Sequence, residues 1–111
     1  MPTDTAFQPF RVDVYDEEGR IRVSPVGELD LATAPAVDEA LRVAFESTAR
    51  TVTLDLREVA FMDSSGLRLI LQWDAAGRSD GMAFGLIRGD EVVQRVFDAT
   101  RVAERHTFVE P

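Results

Sequence analysis

Polar and apolar residues alternate along the first part of the chain, as they do in β-strands that bury one face. In the stretch FRVDVY the apolar residues Phe10, Val12 and Val14 fall on one side, and the alternation resumes downstream through Ile21 and Val23. Between the two stretches lies the turn-forming segment DEEG, whose glycine permits a positive φ. The two stretches are therefore predicted to pair as an antiparallel hairpin.

Two further strands are predicted beyond this hairpin. In Thr51–Leu56 valine and leucine alternate with threonine and aspartate, which indicates one buried face. Met82–Ile87 is apolar throughout, which is typical of a buried parallel strand.

Two stretches have the spacing of helices that bury one stripe of side chains. The first begins after Thr33, a predicted N-cap, and has Pro35 in its first turn, where proline is tolerated. The other covers Glu91–Ala99 and begins after a second predicted N-cap, Asp90. Their apolar positions are Val37, Leu41, Ala44 and Phe45 in the first, and Val92, Val93, Val96 and Phe97 in the second.

A further helix is predicted to start after Asp63 and to end at Gly77 or shortly beyond it. Its predicted core stripe consists of Leu67, Ile70 and Leu71. The pattern is less regular than in the other helices, because Leu69 and Trp73 fall partly on another side and Asp74 interrupts the stripe. Either this helix is buried on more than one face, or Leu69 and Trp73 belong to an interface.

The predicted order of elements is β-β-α-β-α-β-α, which places the fold in the α/β class. Strands joined by single helices run parallel with right-handed crossovers, whereas the opening hairpin is antiparallel. We therefore predict a mixed four- to five-stranded sheet with helices mainly on one side. Residues 1–9 are predicted to be a flexible lead-in and residues 10–109 a single domain. The predicted anchors of the closing segment are Val102, Phe108 and Val109.

The composition narrows the possible functions. The net charge of −8 disfavours binding to nucleic-acid phosphates and to anionic lipid surfaces. All twelve basic residues are arginine, so the phosphate-binding P-loop and Schiff-base chemistry, which need lysine, are excluded. With no cysteine and one histidine, we expect no disulfide, no metal site and no other cofactor. No stretch has the character of a signal peptide or a membrane span, which favours a cytoplasmic protein without membrane insertion.

Two polar clusters adjoin the predicted strands. Gly27–Asp30 is predicted to be a loop that carries the carboxylates of Glu28 and Asp30. Such a pair could serve acid–base chemistry or hold a cation, but in an acidic protein it is most often simply solvated. The second cluster, Asp63–Gly66, lies between the third strand and the following helix, and its local chemistry is that of a helix cap.

The motif FMDSSGL at Phe61–Leu67, together with GELDL at Gly27–Leu31, resembles the STAS domain of bacterial anti-sigma factor antagonists. The resemblance extends from about Phe10 to Val109. In that family a partner kinase phosphorylates the first serine after the aspartate, which implies Ser64 as the phosphoacceptor of this chain.

The resemblance also implies a mechanism and partners. In the family, the unphosphorylated domain binds an anti-sigma factor that is also a serine kinase of the GHKL type, and so frees a sigma factor. The kinase phosphorylates the domain to end the complex, and a serine phosphatase restores it. The residues that would shape the helix start are Asp63, Ser65 and Gly66. The residues assigned to the partner surface are Glu28, Asp30, Met62 and Leu67.

Other functions remain compatible with the sequence. STAS domains also occur as subunits of stress-signalling assemblies and of lipid transporters, without sigma-factor control. A serine hydrolase is a more remote alternative, in which His106 would act as the base for Ser64 or Ser65. The G-x-S-x-G motif of a nucleophile elbow is absent, however, and a catalytic serine needs an oriented base beside it.

Helix geometry and the resemblance disagree on which serine is displayed. If Asp63 caps the helix, Ser64 projects about 60° from the core residue Leu67, and Ser65 projects about 160° from it. Exposure alone therefore predicts Ser65, whereas the resemblance predicts Ser64. We take Ser64 as the phosphoacceptor, because the first residue of a helix lies at its rim.

Overall fold

The computed structural model describes residues 9–100 and 108–111. The strands are β1 (Arg11–Glu17), β2 (Arg20–Leu29), β3 (Thr51–Asp55), β4 (Val59–Met62), β5 (Ala83–Ile87) and β6 (Phe108–Val109). The helices are α1 (Ala34–Glu46), α2 (Ser64–Asp80) and α3 (Glu91–Thr100). Within these described residues, no helix has both the length and the apolar character needed to cross a membrane.

The described strands form one mixed sheet of six. Its order is β1-β2-β3-β5-β6, with β4 paired to β2 beside this path. The β1–β2 pair is antiparallel and the other pairs are parallel. The predicted α/β class with a mixed sheet is confirmed, but the sheet exceeds the predicted four to five strands. The additional strand is β4, for which no strand was predicted. Of the predicted anchors, Phe108 and Val109 form β6 and Val102 lies outside the described residues.

The ten-residue strand β2 pairs with two strands in succession. Its first part, Arg20–Val23, pairs with β3, and its last part, Gly27–Leu29, pairs with β4. The register shifts between Gly27 and Glu28, and Gly27 has a φ of 117°, which glycine adopts without strain. The segment Gly27–Asp30, predicted to be a loop, is therefore mostly the end of a strand.

The sheet separates an apolar core from a polar face. On one face the described helices pack against strand side chains such as Val52 and Leu54, which are fully buried. Other large buried members of this core are Val23, Leu29, Val37, Leu41, Leu56, Ile70, Leu86, Val93 and Phe97. Alternate strand residues such as Arg22 and Thr53, which pair in register, lie on the opposite face. The prediction of helices on one side is confirmed.

Asp55 is a buried carboxylate on the polar face, with an exposed fraction of 2%. It accepts hydrogen bonds from the Arg57 guanidinium at 3.0 and 2.8 Å and from Arg22 at 3.1 Å. The Arg22 guanidinium also stands 4.1 Å from the centroid of the Tyr15 ring. Burial opposes ionisation of Asp55, but the hydrogen bonds from Arg57 and Arg22 outweigh it and hold the pKa of Asp55 below its usual value.

The α2 helix buries a different set of side chains from the predicted stripe. Leu69 is 4% exposed and belongs to the core, whereas Leu71, a predicted core residue, is 39% exposed. Trp73 packs on Phe45 of α1 with ring centroids 4.7 Å apart, and its indole N–H donates to Asp38 at 2.9 Å. Of the two interpretations left open, the first is therefore correct: α2 is buried against both the sheet and α1.

The end of α2 and the start of α1 can be compared with the predicted helix boundaries and caps. α2 continues past Gly77 to Asp80 and stops where Gly81 takes a left-handed φ of 72°. Thr33 stands at the N-cap of α1, but its side chain does not cap that helix. Its hydroxyl instead donates to the carbonyl oxygen of Glu28 at 2.7 Å, which fastens the start of α1 to the end of β2.

Candidate functional site

The two sequence motifs lie side by side at one edge of the sheet. Because β2 and β4 are parallel neighbours, their carboxyl ends meet, with Glu28 in register with Phe61 and Leu29 with Met62. The Asp63 N–H donates to the carbonyl oxygen of Leu29 at 3.3 Å, which ties the start of α2 to the end of β2. The fold thus brings the predicted site residues into one region, although they are far apart in the sequence.

Asp63 organises the first turn of α2. It is the N-cap, with an extended backbone, and its Oδ1 accepts the N–H of Ser65 at 2.8 Å. Its carbonyl oxygen accepts the N–H of Leu67 at 3.3 Å. One of the free N–H groups at the helix start is therefore satisfied by a side chain, as predicted, and the backbone of both serines is held in place.

Ser64 and Ser65 differ in exposure. Ser64, the first residue of α2, is exposed, whereas Ser65 is partly buried. The helical wheel predicted the opposite order and was wrong on this point. It measured direction from the core residue Leu67 alone and took no account of α1, which lies on the side to which Ser65 projects.

Gly66 allows α2 to approach the ends of β2 and β4 closely. A Cβ atom built on Gly66 would lie 2.5 Å from Met62 Cγ and 3.0 Å from Leu29 Cγ. Any side chain at this position would therefore force either these two side chains or the first turn of α2 to shift. The role of Gly66 is this close approach, and it explains why a glycine follows the two serines.

Met62 and Leu67, which the resemblance assigned to the partner surface, are buried in this structure. Their exposed fractions are 2% and 7%, and both belong to the hydrophobic core beneath the serines. Their side chains can support the backbone of the site but do not offer a surface for direct contact. The expectation of direct contact at these two positions is therefore corrected.

Glu28 and Asp30 lie in different environments. Glu28 is exposed and stands beside Phe61. Asp30 is partly buried, and its Oδ1 accepts the N–H groups of Ala32 at 3.0 Å and Thr33 at 3.1 Å. Asp30 thus folds the turn into α1, and Glu28 is the exposed carboxylate of the pair. Across residues 9–100 and 108–111, no group of three or more histidine or acidic side chains is arranged to hold a metal ion.

A groove of about 300 Å³ opens beside Ser65, between the starts of α1 and α2. It is lined by Leu31, Ala34, Pro35, Asp38, Ser65, Arg68, Leu69 and Gln72. Two large apolar side chains near the serines are exposed, Leu31 at 78% and Phe61 at 43%. Both belong to the quoted motifs but had no predicted role, because an apolar residue beside a predicted strand is first interpreted as core.

The chemistry available at the serines is that of an exposed hydroxyl group at a helix start. First-turn N–H groups and the helix dipole both favour a negatively charged group there. His106, the base of the hydrolase alternative, lies outside the described residues.

Comparisons with known proteins cover most of the chain, including the two motifs of this site. Residues 10–110 match a family model described as "Mlab, STAS domain". The anti-sigma-B factor antagonist of Bacillus subtilis is 32% identical over 89 residues, which cover 80% of this chain and 81% of that protein.

Two solved structures share the fold. An anti-sigma factor antagonist from Mycobacterium paratuberculosis has a TM-score of 0.77 at 23% identity, over 93% of this chain and 87% of that one. The Bacillus cell fate determinant SpoIIAA in its phosphorylated form has a TM-score of 0.67 at 18% identity, over 92% of both chains.

Proposed function

Because the chain belongs to the STAS domain family of anti-sigma factor antagonists, we propose that it acts by partner switching, with Ser64 as the switch. In this proposal the unphosphorylated protein binds an anti-sigma factor that is also a GHKL-type serine kinase, and so frees a sigma factor. The kinase phosphorylates Ser64 to end the complex, and a serine phosphatase restores the binding form. The protein is then a substrate and a regulator, not an enzyme.

The observation that supports this proposal most directly is the exposure of Ser64 at the first position of α2. Asp63 holds the backbone before the serines, and Gly66 packs the backbone after them on the sheet. A kinase therefore meets an accessible hydroxyl group on a rigid frame and has no need to unfold the domain. Ser65 is partly covered on the side of α1, which favours Ser64 as the acceptor.

The local structure also accounts for a change in binding without a change in fold. A phosphate adds about −1.5 to −2 charges at pH 7, and a helix start tolerates that charge. Like charges brought together across an interface cost several kcal/mol, and each ~1.4 kcal/mol is a tenfold change in affinity. A loss of roughly a hundredfold or more in affinity for the kinase follows.

We place the partner surface on the exposed residues around Ser64. Leu31 and Phe61 would supply apolar contact, and Glu28 would supply a charge at the rim. The residues that would support this surface from beneath or within are Asp30, Met62, Gly66 and Leu67.

The proposed partners also imply a cellular compartment for the protein. Control of a sigma factor takes place in the cytoplasm, and the net charge of −8 favours a protein partner over direct contact with nucleic acid or membrane. The proposed unit is the single domain over residues 10–109, preceded by the lead-in at residues 1–9.

A second candidate is a STAS subunit of another assembly, such as a lipid transporter. The description of the matching family model names the STAS domain and not sigma-factor control, which is compatible with this candidate. Both candidate functions use the surface around Ser64, and they differ in the protein that binds to it.

A capture experiment with matched charge variants tests the proposal. The immobilised protein is incubated with lysate of the source organism, and retained proteins are identified by mass spectrometry. We expect wild-type protein and Ser64→Ala to retain a GHKL-type kinase, and Ser64→Asp to retain much less of it. Ser79→Asp adds the same charge at an exposed position near the other end of α2 and should behave as wild type.

Two results would count against the proposal. Equal retention of the kinase by Ser64→Asp and Ser79→Asp would contradict the electrostatic switch. Retention of a transporter subunit in place of a kinase would favour the second candidate.

A further inference from the structure

Arg68 stands one helical turn beyond Ser64 on α2. Residues four apart on a helix are neighbours on its surface, so the side chains at these two positions are within reach of each other. Both residues are exposed, and Arg68 also lines the groove that Ser65 and Asp38 border. The spacing therefore allows the guanidinium of Arg68 to reach a phosphate on Ser64.

The other arginines on described helices each pair with a carboxylate on the same helix. Arg78 pairs with Asp74 at 3.0 Å and Arg95 with Glu91 at 2.8 Å, in both cases four residues earlier. Arg42 of α1 pairs with the glutamates three residues before it and four residues after it.

Arg68 is the exception in this set. Its guanidinium has no ion pair with any described residue, and its neighbours three and four residues away on α2 are not acidic. They are Ser64, Ser65, Leu71 and Gln72. Asp38, the carboxylate across the groove, accepts the indole N–H of Trp73. The position four residues earlier, where Arg78 and Arg95 find their acid, is occupied by Ser64.

We propose that Arg68 is the intrachain counter-ion of phosphorylated Ser64. Phosphorylation would convert Ser64 into the missing acid of this pair, with the acid nearer the helix N-terminus, which is the favourable order for an ion pair four residues apart. Guanidinium and phosphate also match in geometry for paired hydrogen bonds. The proposal rests on the proposed phosphorylation of Ser64 and adds a second consequence to it. The phosphate adds negative charge to the partner surface. It also engages Arg68, at the border of that surface, in an ion pair.

The second pKa of the phosphate provides the test. Phosphoserine is installed at position 64 during translation by codon reassignment, so that no kinase is needed, and its phosphorus resonance is followed by NMR from pH 4 to 8. A neighbouring cation stabilises the dianion and lowers this pKa. Arg68→Gln should therefore raise it by about 0.3 to 0.7 of a unit, since a helical ion pair shifts the balance by a few tenths of a kcal/mol and phosphate pairs are roughly twice as strong.

Two further variants serve as controls. Arg78→Gln removes the same charge from α2 at about 21 Å from Ser64 along the helix and should leave the phosphate pKa nearly unchanged. Arg68→Lys keeps the charge but not the paired geometry, so it should raise the phosphate pKa less than Arg68→Gln does. Thermal melts of the unphosphorylated variants check that the fold is intact, as expected for an exposed side chain.

The outcomes separate this inference from the proposed function. Equal shifts in Arg68→Gln and Arg78→Gln, or no shift in either, would overturn the role of Arg68 whether or not a kinase binds the protein. A shift confined to Arg68→Gln supports the pairing even if the capture experiment retains no kinase, in which case only the proposed function fails.

Discussion

Replacement of Gly66 by alanine should destabilise the domain through a defined clash. The added Cβ would lie 2.5 Å from Met62 Cγ and 3.0 Å from Leu29 Cγ, so either the side chains or the first turn of α2 must shift. Overpacking of this kind costs about 1–3 kcal/mol, and alanine in a helix returns up to about 1 kcal/mol relative to glycine. We therefore expect a net loss of roughly 1–2 kcal/mol in the free energy of unfolding.

A double-mutant cycle identifies the clash as the cause. Urea unfolding is followed by the fluorescence of Trp73, the single tryptophan, which packs between α1 and α2. In a Met62→Ala background the nearest obstacle is gone, so Gly66→Ala should then be close to neutral, with a coupling energy of about 1–2 kcal/mol. If Gly66→Ala costs the same in both backgrounds, the close approach to Met62 is not the reason for the glycine.

Three other predictions concern the core, the buried ion pair and the switch. Leu54→Ala should cost about 2–5 kcal/mol in urea melts because the side chain is fully buried, whereas Thr53→Ala on the polar face should cost less; equal losses would show that both faces are covered. Because the pKa of Asp55 is lowered in the fold, its ionised form stabilises the protein above about pH 4, and this contribution is lost as the pH falls through the folded-state pKa. Asp55→Asn should therefore cost roughly 1–3 kcal/mol at pH 7 and reduce the acid dependence of unfolding, and an unchanged dependence would refute the argument. Incubation with the cognate kinase should place phosphate on Ser64, as located by phosphopeptide mapping. A phosphate found on Ser65, with the Ser64→Ala variant still fully phosphorylated, would refute that assignment.

The sequence predicts the fold class because its strands and helices have distinct periods. The alternation in Thr51–Leu56 and the stripe of α1 each have one buried face, so pattern and structure agree. The strand β4 does not alternate, since Val59 and Met62 are buried while Ala60 and Phe61 between them are exposed. It also pairs only with the end of β2, and no local pattern contains that information.

The same limit applies to individual site residues. Asp63 was predicted as a cap because the interaction is made within three residues of the chain. The burial of Leu69 and the partial burial of Ser65 depend on where α1 lies against α2, since both residues line the groove between these helices. A helical wheel refers to one helix and one core direction, so it fails where a second helix covers a flank.

The division of β2 between β3 and β4 has a consequence for the order in which the chain assembles. Glu28 and Ser64 come together only after the chain has passed through α1 and β3 and returned to the far end of β2. Contacts between residues so distant in sequence carry a large loop-closure cost and are expected to form late in folding. A chain that has not completed folding therefore has the serines but lacks the surface around them. An enzyme that recognises Ser64 together with Glu28 consequently selects for chains that have completed folding.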